Sequence, residues 1–286
     1  MHFADHDFPP YALTLPSADA IPLLCDSPHS GVMYPRDFKT RLPASVMRSG
    51  EDTYVDELWS SLPQYGAVLL AANFPRIYID PNREESDIDP DILEEPWPSR
   101  LHPTEKSALG HGLVWRQTRG QDIYEHKLFV ADVENRILKY YRPYHQALAE
   151  QSNALYERFG ALWHLNLHSM PSDAYEALGI TTDKRLADFV LGDRDGTTCE
   201  PGFIEVMEQF LRGRGYSVAR NDPYKGVALI ARMGRPDERR HSMQVEINRA
   251  LYMDELNYNK SGGFNQLQAD LNDLSAHMAT YVRDQL

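Results

Sequence analysis

The sequence predicts an α/β fold, and three observations support that class. Short apolar runs alternate with amphipathic helical stretches along the chain, which is the order of elements in an α/β protein. The 286 residues are 42% hydrophobic and 25% charged, so the chain can bury a sizeable core. Because no repeat, low-complexity segment or Pro/Gly/Ser-rich linker is visible, we expect residues 1–286 to form a single domain.

The individual elements follow from length and periodicity. Strands are predicted at eight short apolar segments, 21–26, 67–72, 76–80, 113–116, 161–168, 188–192, 216–220 and 242–248. Helices are predicted at 52–62, 123–159, 203–212 and 264–285, the second of them interrupted or kinked at Pro143. Residues 84–112 are acidic, contain proline and lack a clear period, so we expect a long loop or a flap over one sheet edge.

The charge balance limits the classes of partner. Lys and Arg total 29 against 42 Asp and Glu, a net charge of −13, which argues against binding to nucleic acid or to an acidic membrane surface. The longest apolar run, 67–72, is far shorter than the roughly 20 residues that span a bilayer. The start, MHFADHDFPP, lacks the pattern of an export signal, and two cysteines fit a reducing compartment. We therefore expect a cytoplasmic protein, whose oligomeric state the sequence leaves open.

Polar residues that could carry chemistry follow four of the predicted strands. Ligands of open α/β sheets bind beyond the carboxyl ends of the strands. His29, Arg83 and His168 stand at or after such ends, and Glu246 lies on the last strand. His29 lies in a Pro-His-Ser-Gly turn, where a hydrogen-bonded turn histidine is the alternative to a functional one.

Strand periodicity separates His168 from His164. The two share one face, but at about 3.3 Å per residue they lie about 13 Å apart, too far to bind one metal ion at ~2.1 Å each. His168, at the strand end, is the better candidate, and His164 is interpreted as structural or solvated. Glu246 lies on the polar face of its strand, which is either solvent-facing or lines a cleft with Glu246 as a general base.

Glu51 and Asp52 begin a predicted helix. Acidic residues are favoured at that position by the helix dipole alone, so their presence does not by itself indicate a ligand. The chain has no HExxH pattern, and the residue patterns alone support a metal site only weakly.

Six short motifs occur in an order that identifies a family. They are DSPHSG at 26–31, IDPNR at 79–83, NLHSM at 166–170, GDRDG at 192–196, NDPYKG at 221–226 and QVEINR at 244–249. Each motif is weak alone, but the ordered set resembles the N-formylglutamate amidohydrolases, or formylglutamate deformylases. The resemblance covers roughly residues 20–265.

The resemblance implies a fold, an activity and a cofactor. The family is similar to the zinc carboxypeptidases, with a mixed, mostly parallel central sheet flanked by helices. It implies one divalent metal ion, most simply zinc, that activates water to hydrolyse an N-formyl amide to formate and an amino acid. The expected substrate is a small anionic N-acyl amino acid, N-formyl-L-glutamate first, which this type of enzyme cleaves in histidine degradation.

Residue roles follow from the same resemblance. His29 and His168 become metal ligands and Glu246 the general base. The carboxypeptidase pattern would place a glutamate three residues after the first histidine, but that position is Val32. The resemblance therefore implies Asp52 as the acidic ligand, with Glu51 as the alternative.

Substrate-binding residues are also implied. Asn82 and Arg83 match an Asn-Arg pair that binds a substrate carboxylate, which suits the planar fork of arginine. The alternative for Arg83 is an ion pair with Asp80 or Glu84. A second carboxylate needs a further cation: we take Arg232, while the other candidates are Arg194, Arg235 and Arg249.

Other functions stay open at this point. The loop after Lys225 reads Gly226-Val227 where the family suggests Gly-Gly, which leaves the substrate pocket less defined. The chain could hydrolyse another small N-acyl or peptide-like amide, or bind an acidic ligand without catalysis. An amidase with a Cys25 nucleophile is the weakest alternative, because Cys25 lies in an apolar strand.

Overall fold

A computed structural model describes residues 2–3 and 7–286, with side chains from residue 7 onward. The strands are β1 His2–Phe3, β2 Tyr11–Thr14, β3 Leu23–Ser27, β4 Met33–Tyr34, β5 Val68–Ala72, β6 Gln117–Thr118, β7 Gln121–Asp122, β8 Leu162–Met170, β9 Phe189–Gly192, β10 Val218–Arg220, β11 Arg240–Asn248, β12 Met253–Asp254 and β13 Asn259–Lys260. The α-helices are α1 Ala44–Met47, α2 Val55–Leu58, α3 Glu105–Ala108, α4 Val130–Arg136, α5 Arg142–Phe159, α6 Ala174–Ala177, α7 Pro201–Gly213, α8 Ala228–Met233 and α9 Phe264–Asp284.

Within residues 7–286, seven of the strands form one sheet in the order β10-β9-β11-β8-β3-β5-β2. Strand β8 pairs in parallel with both β3 and β11, while β11 pairs antiparallel with β9. The sheet is therefore mixed, and helices flank it, which confirms the predicted fold class.

The chain divides into two compact units. The first comprises the described residues of Met1–Ala12, Pro28–Thr53 and Ala71–Ala149, and the second comprises Leu13–Ser27, Tyr54–Leu70 and Glu150–Leu286. Strands β3 and β8–β11 and helices α7 and α9 lie wholly in the second unit. The expectation of one domain over residues 1–286 stays a prediction.

The second unit has a sheet with two different faces. Side chains alternate along β8 and β11, so one set is apolar and the other polar. The apolar set packs in one cluster with buried residues of α7 and α9, such as Phe203 and Leu271. The polar set is also buried: His164, Asn166 and His168 on β8 are at most 2% exposed. Buried polar groups need hydrogen-bond partners, and this face supplies the candidate site.

The first unit contains the predicted loop and the predicted long helix as far as Ala149. Residues 130–159 are helical throughout, but Ile137–Tyr141 form a π-helical segment that ends just before Arg142 and Pro143. Proline has no N–H and its ring crowds the preceding turn, which accounts for a π-helical segment just before Pro143. The helix itself continues through Pro143. Residues 84–112 contain only a 3-10 turn, Pro90–Ile92, and the one-turn helix α3, which confirms a mainly irregular segment.

Some predicted elements are wrong. Residues 76–80 form a turn instead of a strand, because Arg76 pairs with Asp80 four residues later at 2.9 Å. Residues 113–116 form no strand, and residues 123–129 are not helical; the helix begins only at Val130. The helix expected from residue 52 begins at Val55, after Tyr54 adopts a left-handed conformation with φ 69°. Strand β2 carries no alternation clear enough to predict it.

Candidate metal centre and its partners

His29 and Asp52 come together in the first unit. His29 lies in a turn two residues after β3, and its carbonyl accepts a hydrogen bond from the Asp52 amide at 2.9 Å. His29 Nδ1 lies 3.4 Å from Asp52 Oδ2, and both side chains are 1% exposed. Gly31 allows this turn, because a Cβ there would lie 2.3 Å from the carbonyl oxygen of Phe74.

Asp80 holds the other nitrogen of His29. Its Oδ1 lies 2.7 Å from His29 Nε2, and its Oδ2 accepts from Arg76 at 2.9 Å and from the Trp115 indole at 3.3 Å. Burial alone would raise the pKa of Asp80, but the charges of Arg76 and Arg83 and the hydrogen bond with His29 outweigh it and hold that pKa well below its ordinary value. An ionised Asp80 only accepts, so His29 Nε2 carries a proton and the lone pair lies on Nδ1.

Glu51 and Asp52 differ in what their oxygens do. Glu51 accepts from the Tyr34 hydroxyl at 2.7 Å, from Arg48 Nε at 3.0 Å and from Thr53 at 3.1 Å. Its two oxygens are therefore used in holding the turn before α2. Asp52 is the carboxylate that approaches an imidazole nitrogen, so the geometry favours Asp52 over Glu51 as a ligand.

In the second unit, the parallel register of β8 and β11 sets Glu246 beside His168 and Gln244 beside Asn166. Glu246 is 6% exposed, and its Oε1 accepts from Gln244 Nε2 at 2.6 Å. His168 Nε2 lies 2.6 Å from Asn166 Oδ1. The polar face of β11 is thus buried, and the solvent-facing alternative for Glu246 is wrong.

Three of the predicted site residues offer a set of metal ligands. Within the first unit, His29 Nδ1 and the Asp52 carboxylate offer two ligands; the second unit offers the imidazole of His168; and all three residues are buried. Two neutral imidazoles and one carboxylate suit a divalent ion such as zinc, and they leave it a net positive charge and an open coordination position. The residues present therefore fit the cofactor that the sequence implies.

The predicted substrate-binding residues lie in different surroundings. Asn82 and Arg83 are buried, 2% and 8% exposed, and Arg83 donates to the carbonyls of His111 and Asn82 at 2.9 and 3.0 Å. Arg83 Nη2 also lies 3.9 Å from Asp80 Oδ2, so the alternative interpretation of Arg83, an ion pair with Asp80, is partly correct. Arg232 is exposed on α8.

The other candidate arginines differ in burial. Arg249 is 5% exposed and donates to Ser169 Oγ at 3.1 Å. Arg235 pairs with Glu238 at 3.2 Å, and Arg194 donates to the Gly226 carbonyl at 3.2 Å.

Sequence reasoning missed several partners of these residues. Asp80 appeared only as a possible partner of Arg83, and Trp115 did not appear at all. Asp26 and Asn166 lie in the DSPHSG and NLHSM motifs, which by themselves indicate no role for either residue. Asp26, Asn166 and Asp80 share one signal, because each stands two or three residues from a predicted site residue within a motif. Trp115 has no such signal. Cys25, by contrast, is buried, and desolvation together with the Asp26 charge raises its pKa well above the usual value, which gives no support to a cysteine nucleophile.

The fold and these side chains define an α/β protein with a candidate centre for one divalent metal ion. The family model of the N-formylglutamate amidohydrolases matches residues 21–253, and the chain belongs to this family. It is 27% identical over 238 residues to the N-formylglutamate deformylase of Pseudomonas aeruginosa, covering 82% of this chain and 83% of that protein. A deformylase from Pseudomonas putida is 26% identical with the same coverage.

Two solved structures extend the comparison. An N-formylglutamate amidohydrolase from Ralstonia eutropha JMP134 is 56% identical, with a TM-score of 0.96 over 98% of this chain and 100% of that one. The gene product Atu2144 from Agrobacterium tumefaciens is 18% identical, with a TM-score of 0.68 over 98% and 99% of the chains, and it shares the fold. None of the described helices is both long and apolar enough to cross a membrane.

Proposed function

We propose that this protein hydrolyses the amide bond of N-formyl-L-glutamate, or of a closely related N-acyl acidic amino acid, to formate and L-glutamate. The observation that carries the reaction type is the buried pair of His29 and Asp52, whose Nδ1 and Oδ2 atoms lie 3.4 Å apart. The resemblance of the sequence adds the buried His168 as the third ligand. The relatives named as deformylases and amidohydrolases supply the substrate class. The role in histidine degradation and the cytoplasmic location stay predictions.

In this proposal one zinc-like ion is held by His29, Asp52 and His168, and it supplies Lewis acidity towards water and the formyl carbonyl. Glu246 is the general base: it takes a proton from the attacking water and returns it to the leaving amine. Its position beside His168 on the neighbouring strand supports this role. Burial of the carboxylate also keeps bulk water from competing for that proton.

Arginine and amide side chains would bind the carboxylates of the substrate. Asn82 and Arg83 are assigned to one carboxylate, and Arg232 to the other. The guanidinium of Arg83 is already partly fixed by two carbonyls, so little side-chain freedom is lost when an anion binds. A metal ion and two arginines make a local positive site in a chain whose net charge is −13.

A formate-release assay over N-formyl and N-acetyl amino acids tests the proposal. N-formyl-L-glutamate should be the preferred substrate, and EDTA should abolish the activity, with zinc restoring it. Metal analysis of protein purified without chelator should find about one divalent ion per chain. A preference for neutral side chains would contradict the substrate assignment, and full activity in EDTA without bound metal would contradict the mechanism.

A further inference from the structure

We propose that a buried chain of hydrogen bonds behind His168 fixes the tautomer and the orientation of its imidazole for metal binding. Its members lie on the polar face of three adjacent strands, and they are Asn166, Asp26, His164 and Ser242. They are positioning residues, because they act through His168. The inference deepens the proposed function and rests on it in one respect, the assignment of His168 as a metal ligand.

The contacts run without a gap. His168 Nε2 lies 2.6 Å from Asn166 Oδ1, and Asn166 Nδ2 donates to Asp26 Oδ1 at 2.8 Å. His164 Nε2 lies 2.8 Å from the same Asp26 oxygen, and His164 Nδ1 lies 2.8 Å from Ser242 Oγ. All four distances are those of hydrogen bonds between well-placed groups.

Asp26 sets the direction of these hydrogen bonds. A carboxylate only accepts, so the Asn166 amide turns its NH₂ group towards Asp26 and its carbonyl oxygen towards His168. A carbonyl oxygen also only accepts, so the proton of a neutral His168 lies on Nε2. The lone pair of that imidazole is then on Nδ1, the nitrogen left to bind a metal ion.

His164 and Ser242, at the other end of this row of hydrogen bonds, also donate in the direction of Asp26. His164 donates from Nε2 to Asp26, so its Nδ1 accepts, and the Ser242 hydroxyl donates to it. Asp26, His164, Asn166 and Ser242 are each 0% exposed, and His168 is 2% exposed. Bulk water therefore offers no exchange of partners, and an alternative tautomer would leave a buried polar group unsatisfied, at a cost of about 1–3 kcal/mol.

The strand register makes the arrangement rigid. Asp26 on β3 is level with Asn166 on β8, and Ser242 on β11 is level with His164. Each partner is thus carried by backbone that is hydrogen-bonded to its neighbour. Sites built on strands hold their side chains more precisely than sites on loops. The sequence indicates that His164 is structural or solvated. In the structure it is buried and belongs to this row of hydrogen-bonded side chains.

Two substitutions of Asn166 separate positioning from simple burial. Asn166→Leu keeps the size but removes the acceptor, whereas Asn166→Asp keeps an acceptor for His168 Nε2 and shares one proton with the Asp26 carboxyl group that it faces. In metal-free protein, the ¹⁵N shifts of the His168 ring should report a proton on Nε2 in the wild type and in Asn166→Asp, and a mixture of tautomers in Asn166→Leu. Zinc titrated against a chromophoric chelator should bind Asn166→Leu about 10–100-fold more weakly than the wild type, and Asn166→Asp should recover most of that loss.

A matched pair of serines supplies the control in case Asn166→Leu fails to fold. Ser242→Ala removes the last donor of the chain, and Ser275→Ala removes an equally buried hydroxyl that donates to Leu271 O at 2.7 Å on α9. Ser242→Ala should weaken zinc binding by less than about 10-fold, and Ser275→Ala should leave it unchanged at a similar loss of thermal stability.

The outcomes keep this inference apart from the proposed function. A wild-type His168 protonated on Nδ1, or equal zinc affinity in the wild type and Asn166→Leu, would overturn the positioning role. If the protein shows the expected tautomers and zinc affinities but releases no formate, the positioning role is supported and the proposed substrate is contradicted.

Discussion

His29 and His168 are held by different kinds of partner. His29 Nε2 meets the carboxylate of Asp80, which also binds Arg76 and the Trp115 indole. His168 Nε2 meets the amide oxygen of Asn166. Both arrangements direct a protonated Nε2 away from the proposed metal ion, but the first does so with charge and the second with a neutral group.

The contrast between the Asp80 carboxylate and the Asn166 amide shows that the partner of a metal-binding histidine can have two functions. A carboxylate orients an imidazole and also makes it a more basic ligand, while an amide oxygen orients it with little electronic effect. The carboxylate also needs its own counter-charges when it is buried, and Arg76 and Arg83 provide them. The amide is neutral and needs no counter-charge, and its NH₂ group donates to Asp26. The first arrangement is therefore the more costly to disturb.

The largest expected effect concerns Glu246, which lies beside His168 on the neighbouring strand. Glu246→Gln should lower kcat for formate release by at least about 100-fold, because a glutamine cannot take the proton from water. Zinc content should stay at about one per chain, since the substitution leaves His29, Asp52 and His168 in place. Steady-state kinetics and metal analysis of the same sample check both parts.

Glu208→Gln is a suitable control for that experiment. Glu208 lies on α7 and pairs with Arg212 and Arg220, outside the proposed site. The Glu208→Gln variant should be somewhat less stable than the wild type but should keep its turnover. Unchanged turnover in Glu246→Gln would remove Glu246 as the base and leave the β8–β11 pair with only a binding role.

Asp80→Asn tests the comparison directly, because it gives His29 the kind of partner that His168 has. Zinc affinity should fall about 10–100-fold, the usual cost of losing an outer partner of a metal ligand. The free energy of unfolding should also fall by about 3–5 kcal/mol, because Arg76 loses its buried counter-charge. Chelator competition and denaturant unfolding measure the two effects. If neither changed, charge and amide partners would be equivalent in this protein.

Sequence patterns could predict the strands around His168 better than the surroundings of His29 and Asp80. Alternation along 161–168 and 242–248 correctly assigned the polar faces of β8 and β11, since a strand's period is fixed by its geometry. It also distinguished His168 from His164. The turn at 76–80 could not be predicted, because its apolar residues resemble a strand and the ion pair between Arg76 and Asp80 decides the local structure. Partners that converge from distant segments, such as Trp115 on Asp80, have no local signal.

A smaller effect is expected at Glu51, which sharpens the assignment of the acidic ligand. Glu51→Gln should lower the free energy of unfolding by about 1–3 kcal/mol, because the carboxylate that accepts from Tyr34 and Arg48 is lost. Zinc affinity should remain that of the wild type, in contrast to Asp80→Asn. A large loss of zinc from Glu51→Gln would instead favour Glu51 over Asp52.

The smallest expected effect is a shift in the titration of His111, which lies near Arg76, Arg83 and Asp80. Burial, together with the charges of Arg76, Arg83 and Lys106, lowers the pKa of His111 to about 4, although the Asp80 charge acts in the opposite direction. Proton NMR of the His111 ring should therefore show a midpoint of about 4, and Arg76→Gln should move that midpoint upward. An unfolded histidine titrates near 6.5, so the unfolded chain takes up a proton first as the pH falls. This group should accordingly reduce stability as the pH falls from about 6.5 to 4. A midpoint close to 6.5 would contradict the combined effect of burial and positive charge on His111.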